Sequence, residues 1–335
     1  MPGEGVLNPI NCVLNPNGGF VERSSKPVDR KEIVLIALGG NALLKDGQAG
    51  SAEEQFENLK VPIRQIASIS DRYRIIITHG NGPQVGNLLL LEECCTIVPR
   101  MPLEILVAQT QGQIGYMIES TLDEELAILG KKSKNLVSLI SYVVVDKDDP
   151  AFLRPSKPIG PSYLKEKAEK LPFPVVKTPS GYRRVVASPK PITIVEKGEI
   201  RRLIDLDFIV TCCGGGGIPV TKEGRAFHGV DAVIDKDLAS ARLASEVGVG
   251  TLVIATDVAG AYLRFGQPGQ ELLRRLTIGD AARYVGEGHF PPGSMGPKVE
   301  AAVQFLKEGG RRAVITSVEA IEEAVEGRAG TEVVV

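Results

Sequence analysis

Three glycine turns, Gly39-Gly40, Gly80-Asn81-Gly82 and Gly214–Gly217, each follow a short apolar, β-branched run. Glycines at strand ends let backbone N–H groups approach an anion, so three such turns in one sheet favour a phosphate site over three ordinary tight turns. The lysines strengthen that reading. Asp235-Lys236-Asp237 and Gly296-Pro297-Lys298 each open a helical pattern. A cation at a helix N-terminus is disfavoured unless an anion lies nearby, which makes Lys236 and Lys298 better phosphate ligands than solvated surface charges. Lys147 stands at the start of a proline-rich stretch and is the third lysine of interest. The chemistry these residues suggest is the binding or transfer of a phosphoryl group.

Other chemistries lack their residues. Nothing matches GxxxxGK[ST], and the protein-kinase motif set is missing. Gly80-Asn81-Gly82-Pro83-Gln84-Val85-Gly86 lies between a strand and a helix, but its spacing is GxGxxxG and Pro83 removes a backbone donor, which weakens a dinucleotide reading. Neither a GxSxG elbow nor HExxH occurs, which disfavours hydrolase chemistry. His79 ends a strand beside the second glycine turn, where a packed role is favoured over a general base or a phosphohistidine. The five cysteines, Cys12, Cys94, Cys95, Cys212 and Cys213, match no zinc spacing. Adjacent cysteines rarely form a disulfide of good geometry, so reduced structural thiols are expected.

The elements that must position these groups alternate. Apolar runs at Glu32–Leu38, Arg74–Thr78, Leu136–Val145, Phe208–Thr211, Thr251–Ala255, Ala313–Thr316 and Glu332–Val335 read as strands. Helical spacing recurs at Asn58–Ser68, Gln84–Cys94 and Leu103–Leu129. Continuous apolar strands alternating with helices indicate an α/β fold whose mostly parallel sheet is covered on both faces. Between Asp146 and Pro191 lie nine of the 22 prolines, a density that excludes long helices and central strands. Its aromatics Phe152, Tyr163, Phe173 and Tyr182 favour a folded insertion, acting as a lid over 146–191, against a disordered linker. Residues 1–31, crowded with Pro, Asn and Gly, read as a loosely structured extension without the basic start and apolar core of a secretory signal.

Bulk properties narrow the partners. The 335 residues carry a formal net charge of −2 and no tryptophan, which gives no reason to expect nucleic acid or an anionic membrane. No run approaches the roughly 20 apolar residues of a transmembrane helix, and a cytoplasmic location is expected.

Taken in order, ALGGNAL (37–43), THGNGPQVG (78–86), QGQIGY (111–116), VDKDDPAF (145–152), RRVVASPKP (183–191), GGGGIPV (214–220), GVDAVIDKDLAS (229–240), ATDV (255–258) and GSMGPKV (293–299) resemble the carbamate kinases of the amino-acid kinase superfamily. The resemblance covers about nine-tenths of the chain, from Ile33 onward. It implies a three-layer αβα sandwich over residues 32–335, with a largely parallel sheet, a small protruding lid and a nucleotide-binding half from about 205. It also implies reversible phosphoryl transfer between ATP and carbamate, with ATP made from carbamoyl phosphate and ADP as the expected direction. By the same resemblance Gly39, Gly40, Asn41, Gly80, Asn81 and Gly82 would surround the transferring phosphoryl group, and Lys147 would bind it. Lys236 and Lys298 would hold the nucleotide phosphates, with Asp235 organising the lysines. Gly214, Gly215, Gly216, Asp257 and Met295 would lie along the nucleotide. Magnesium would be held mainly by nucleotide phosphates and not directly by the protein. A homodimer is implied as well, with part of Leu88–Leu91 at its interface and part in the core. Two other classes stay open at this point: a Rossmann-type oxidoreductase, which bound NAD would reveal, and a non-catalytic nucleotide-binding regulator, which a turnover assay would separate.

Overall fold

The structure is a computed structural model and describes residues 12–14, 20–22, 31–45, 47–95, 97–178, 181–291 and 293–335. The chain divides into two compact units, Met1–Lys31 and Glu32–Val335. In the first, strands β1 (Cys12–Leu14) and β2 (Phe20–Glu22) pair antiparallel. The rest of the expectation for residues 1–31 lies outside the described residues.

The second unit is built on an eight-stranded sheet. Its strands are β3 (Ile33–Leu38), β4 (Arg74–His79), β5 (Asn135–Ser138), β11 (Phe208–Thr211), β14 (Thr251–Thr256), β17 (Arg275–Thr277), β18 (Arg312–Ser317) and β19 (Thr331–Val334). They lie in the order β17-β19-β18-β14-β3-β4-β11-β5, with every pair parallel except β18 with β19. A four-stranded sheet holds β6 (Tyr142–Val145), β10 (Pro191–Ile194), β12 (Ile218–Glu223) and β13 (Ala226–Gly229). The insertion forms a three-stranded antiparallel sheet of β7 (Lys157–Tyr163), β8 (Val175–Thr178) and β9 (Gly181–Val186), and β15 (Tyr262–Leu263) pairs with β16 (Glu271–Leu272).

The helices are α1 (Ala52–Ile69), α2 (Gly82–Cys94), α3 (Leu103–Ile128), α4 (Lys165–Ala168), α5 (Lys197–Asp205), α6 (Lys236–Val247), α7 (Ile278–Gly286), α8 (Met295–Lys307) and α9 (Ile321–Val325). Strand β3 shows why both faces of the main sheet need cover. Its residues alternate with period two, and all six are buried. Ile33, Leu35 and Ala37 join a core with α5, α6 and α8, while Val34, Ile36 and Leu38 join another with α1, α3 and α9. That is the three-layer αβα sandwich.

Two local readings change. The run Leu136–Val145 is not one strand: it breaks at Leu139–Ser141 and passes from the eight-stranded sheet to the four-stranded one. Buried Ser141 is held at the break by Gln111, whose Oε1 accepts from the Ser141 backbone N–H at 2.9 Å. Apolar runs carry no signal for a change of sheet. The prolines of the insertion, in turn, permit short strands. Pro158 and Pro161 lie in β7, whose pairing with β9 shifts register between Ile159 and Tyr163.

The insertion docks on α2 at two glycines. A Cβ on Gly86 would lie 2.0 Å from the Gly160 backbone, so only hydrogen there allows helix and strand to meet. Arg184 adds an ion pair with Glu93 and stacks on Phe173 at 4.3 Å. A small core of Val85, Leu103, Leu106, Val107, Ile159 and Val186 lies beneath.

Candidate active site

Adjacency in the sheet collects the chemistry. Strands β14, β3, β4 and β11 are consecutive and parallel, so the loops after them open at one edge. The first glycine turn is tied to its neighbours: Gly39 N–H donates to the Ala255 carbonyl at 2.9 Å and Gly80 N–H to the Leu38 carbonyl at 3.0 Å. A cleft of about 410 Å³ lies above, lined by Gly39, Gly40, Asn41, Gly80, Asn81 and Gly82 among others. The N-termini of α2, α6 and α8 all reach it, through Gly82, Lys236 and Met295. Three helix starts add partial positive charge to one wall of the cleft.

The lysines form a cluster around a carboxylate that the sequence reading passed over. Lys236 Nζ donates to Asp237 Oδ1 at 2.6 Å and to the Ala37 carbonyl at 3.2 Å, and Lys298 Nζ donates to Asp237 Oδ2 at 3.0 Å. Asp237 is 2% exposed. Burial opposes its charge, yet the two lysines overcome that and hold its carboxyl far below the usual carboxylate range. Burial pushes the Lys236 ammonium down; Lys298 meets the same penalty, but Asp237 outweighs it and its pKa is raised. Two cations share this one carboxylate, so the Lys236–Asp237–Lys298 cluster taken by itself is net positive, with Asp235 and Asp257 the next carboxylates that act on the lysines.

Asp235 does a different job from the one expected of it. Its Oδ1 caps α6 by accepting from the Asp237 N–H at 2.9 Å, and its Oδ2 pairs with Lys157 from β7 of the insertion. The organiser of the two lysines is Asp237, which stands one residue after Lys236 and was visible in the sequence as part of the same triplet.

Not every expected residue reaches the cleft. Asp257 and Met295 line it, and so does Gly215. Gly214 and Gly216 do not. Their lack of a side chain serves packing: a Cβ on Gly214 would lie 2.3 Å from His79 Nε2, and one on Gly216 would lie 2.5 Å from the Ile234 carbonyl. Lys147 follows β6 at the root of the insertion, is exposed, and does not line the cleft. The insertion instead contributes Lys157, Pro158 and Arg183, which the sequence reading did not single out. Only the placement of the insertion over the cleft could have marked them. The cleft lining also includes the apolar side chains of Val258, Tyr262, Phe265, Pro291 and Met295. Cations and glycine turns together with apolar side chains in one cleft suit a nucleotide's phosphates and base.

His79 is packing. It is 1% exposed, its Nδ1 lies 3.0 Å from the Gly80 carbonyl, and burial lowers its pKa to about 4. It stays neutral near pH 7 and touches Gly214 and not the cleft. Cys94, Cys95, Cys212 and Cys213 are free thiols, and the Cys212 pKa is raised by its hydrogen bond with Cys213 and by burial, which makes it a poor nucleophile. The side chain of Cys12 lies outside the described residues.

The amino acid kinase family model matches residues 32–317. The chain belongs to the amino acid kinase family. Within it, a carbamate kinase of Thermococcus kodakarensis is 48% identical over 311 residues, covering 90% of this chain and 98% of that protein. The carbamate kinase of Giardia lamblia bound to citric acid superposes with a TM-score of 0.85 at 36% identity, covering 91% of this chain and 98% of that one. The same enzyme bound to AMP-PNP gives 0.82 at 37% identity, with the same coverage. This amino acid kinase thus shares the carbamate kinase fold along almost the whole length of its relatives. Among its described residues, no helix is long and apolar enough to cross a membrane.

The neutral His79 has a pH signature. Its folded pKa lies below the unfolded value of about 6.5, so the unfolded chain takes up the proton first. Stability from this group is complete above pH 6.5 and is lost as pH falls toward 4. Between pH 7.5 and pH 5 the loss from this group should be about 2 kcal/mol. Denaturant unfolding of His79→Gln should show a correspondingly flatter pH dependence than the wild type. Parallel slopes in the two proteins would contradict a buried neutral histidine.

Proposed function

We propose that the chain is a carbamate kinase that transfers a phosphoryl group reversibly between ATP and carbamate, and that it makes ATP from carbamoyl phosphate and ADP. The observation that carries this reading is the Lys236–Asp237–Lys298 cluster, two lysines on one carboxylate, in a cleft that two glycine turns and three helix starts also line.

The attacking carbamate oxygen is already anionic, so the reaction needs no general base, and the buried neutral His79 is not required as one. What remains is positioning and charge stabilisation. Gly39, Gly40, Asn41, Gly80, Asn81 and Gly82 surround the transferring group; the Gly39 and Gly80 N–H groups are spent on backbone carbonyls, so the charge that develops on it is met by the rest of the two turns. Lys236 and Lys298 hold the nucleotide phosphates, Asp237 sets the spacing between them, and Asp257 and Met295 flank the nucleotide. The family resemblance gives Lys147 to the transferring phosphoryl group. In this structure it is exposed at the root of the insertion and away from the cleft lining, so that contact requires the insertion to move. Magnesium would be held mainly by the nucleotide phosphates and not directly by the protein, with Asp257 in the cleft lining as the nearby carboxylate not already ion-paired among the described residues. When bound, the ion neutralises charge on the phosphate oxygens.

The partner surface follows from exposed apolar side chains. Leu88 and Leu89 pack on the core, whereas Leu90 and Leu91 are exposed, together with Val98, Met101 and Ile105 just beyond them in the chain. We propose a homodimer through this face.

Removing one preorganised charge at such a site typically costs about 10²–10³ in rate. Lys236→Ala, and Lys147→Ala if the insertion moves as assigned, should lower ATP formation from carbamoyl phosphate and MgADP by that factor without unfolding the protein. Near-native turnover in Lys236→Ala would reject the assigned role. For the dimer, Leu91→Asp should sediment as a monomer at concentrations where the wild type sediments as a dimer; identical sedimentation would remove this face from the interface.

A further inference from the structure

The insertion carries two consecutive arginines with opposite fates. Arg184 is fully engaged, paired with Glu93 and stacked on Phe173. Arg183 lines the cleft. Its Nε donates to the Gly160 carbonyl at 3.0 Å, and no carboxylate among the described residues pairs with it. The side chain is half-buried, and that burial lowers its pKa with nothing acting in the other direction. Arginine does not give up its proton in proteins, so the cost of partial desolvation persists until an anion meets the guanidinium. The neighbouring cation of the insertion, Lys157, already has Asp235. Lys236 and Lys298 approach the cleft from α6 and α8, not from the insertion.

We propose that Arg183 is the binding residue for the anionic end of the small substrate, the carboxylate of carbamate or the phosphoryl group of carbamoyl phosphate. The inference rests on the proposed function for the identity of that substrate. A guanidinium presents two parallel N–H donors, which match a carboxylate or phosphoryl edge better than an ammonium does. Nε is held by the Gly160 carbonyl, which leaves the terminal nitrogens of this cleft-lining residue to serve an anion. Because β9 belongs to the insertion and the lysines belong to the nucleotide half, the two anions of the reaction are met from opposite walls. Loss of Arg183 should therefore separate the two substrates kinetically.

The test varies carbamoyl phosphate and MgADP independently for the wild type, Arg183→Gln and Arg183→Lys. In parallel, phosphonoacetamide, a stable isostere of carbamoyl phosphate, is titrated in the presence of MgADP and read by thermal unfolding. Arg183→Gln should raise KM for carbamoyl phosphate about tenfold or more, as expected for one charge-assisted pair, and leave KM for MgADP within about twofold. Arg183→Lys should recover part of the loss. Stabilisation by phosphonoacetamide should be present in the wild type and absent in Arg183→Gln. Unchanged KM values, or equal increases for both substrates, would overturn the proposal. So would undiminished stabilisation by phosphonoacetamide in Arg183→Gln. A wild type that makes no ATP would retract the functional reading alone, and the phosphonoacetamide comparison would still decide the anion site.

Discussion

Two lysines sharing one buried carboxylate set the terms for this fold. Asp237 can hold Lys236 and Lys298 together only if the starts of α6 and α8 are brought within a few ångströms of each other, 61 residues apart in sequence. The sheet achieves this by placing β14 and β3 side by side and hanging α6 and α8 on the same face. Lys236 also reaches across to the Ala37 carbonyl at the end of β3, which ties the cluster to the first glycine turn. A buried group of net positive charge is costly in isolation. It is retained where an anion completes it, which is the sense in which this active site is built before its ligand arrives.

The surrounding parts follow from that demand. Glycines are needed at Gly39 and Gly215 because backbone must come close to the Ala255 carbonyl and to Asn81. A Cβ at Gly215 would lie 2.2 Å from the Asn81 amide. Gln111 fixes the same region from below, bonding Ser141 and the Gly214 carbonyl. Thr110 accepts from Asn81, so α3 positions the second glycine turn as well as covering the sheet. The insertion adds Lys157, Pro158 and Arg183 to the cleft lining, seated on α2 through Gly86 and Gly160 and joined to the start of α6 by Lys157 and Asp235.

Much of this was readable from residue order. The strands around Ile33–Leu38, Arg74–His79 and Thr251–Thr256 announced themselves because a strand buried on both faces is apolar throughout, and the glycines after them marked the carboxyl edge. Lys236 and Lys298 were legible because a lysine opening a helix is electrostatically odd. The passage of Leu136–Val145 between sheets was not legible, since both halves are equally apolar and the buried contact with Gln111 is long-range. The exchange of roles between Asp235 and Asp237 was invisible for a similar reason. Both flank Lys236, and only the three-dimensional start of α6 decides which one caps the helix and which one turns inward. Lys157 gave no signal, and Arg183 stood in the RRVVASPKP motif without a role of its own, because their importance comes from where the insertion sits.

The central claim is that the two lysines on Asp237 form a net positive cluster that a phosphate completes. Lys236→Met tests it most directly, because methionine keeps the shape of the buried stem and leaves Asp237 paired with Lys298. Denaturant unfolding of wild type and variant, each with and without MgADP, reads both halves of the claim. The account predicts that the ligand-free variant is at least as stable as the ligand-free wild type, and that it loses most of the stabilisation MgADP confers. A variant that is weaker without ligand but keeps the full gain from MgADP would contradict it.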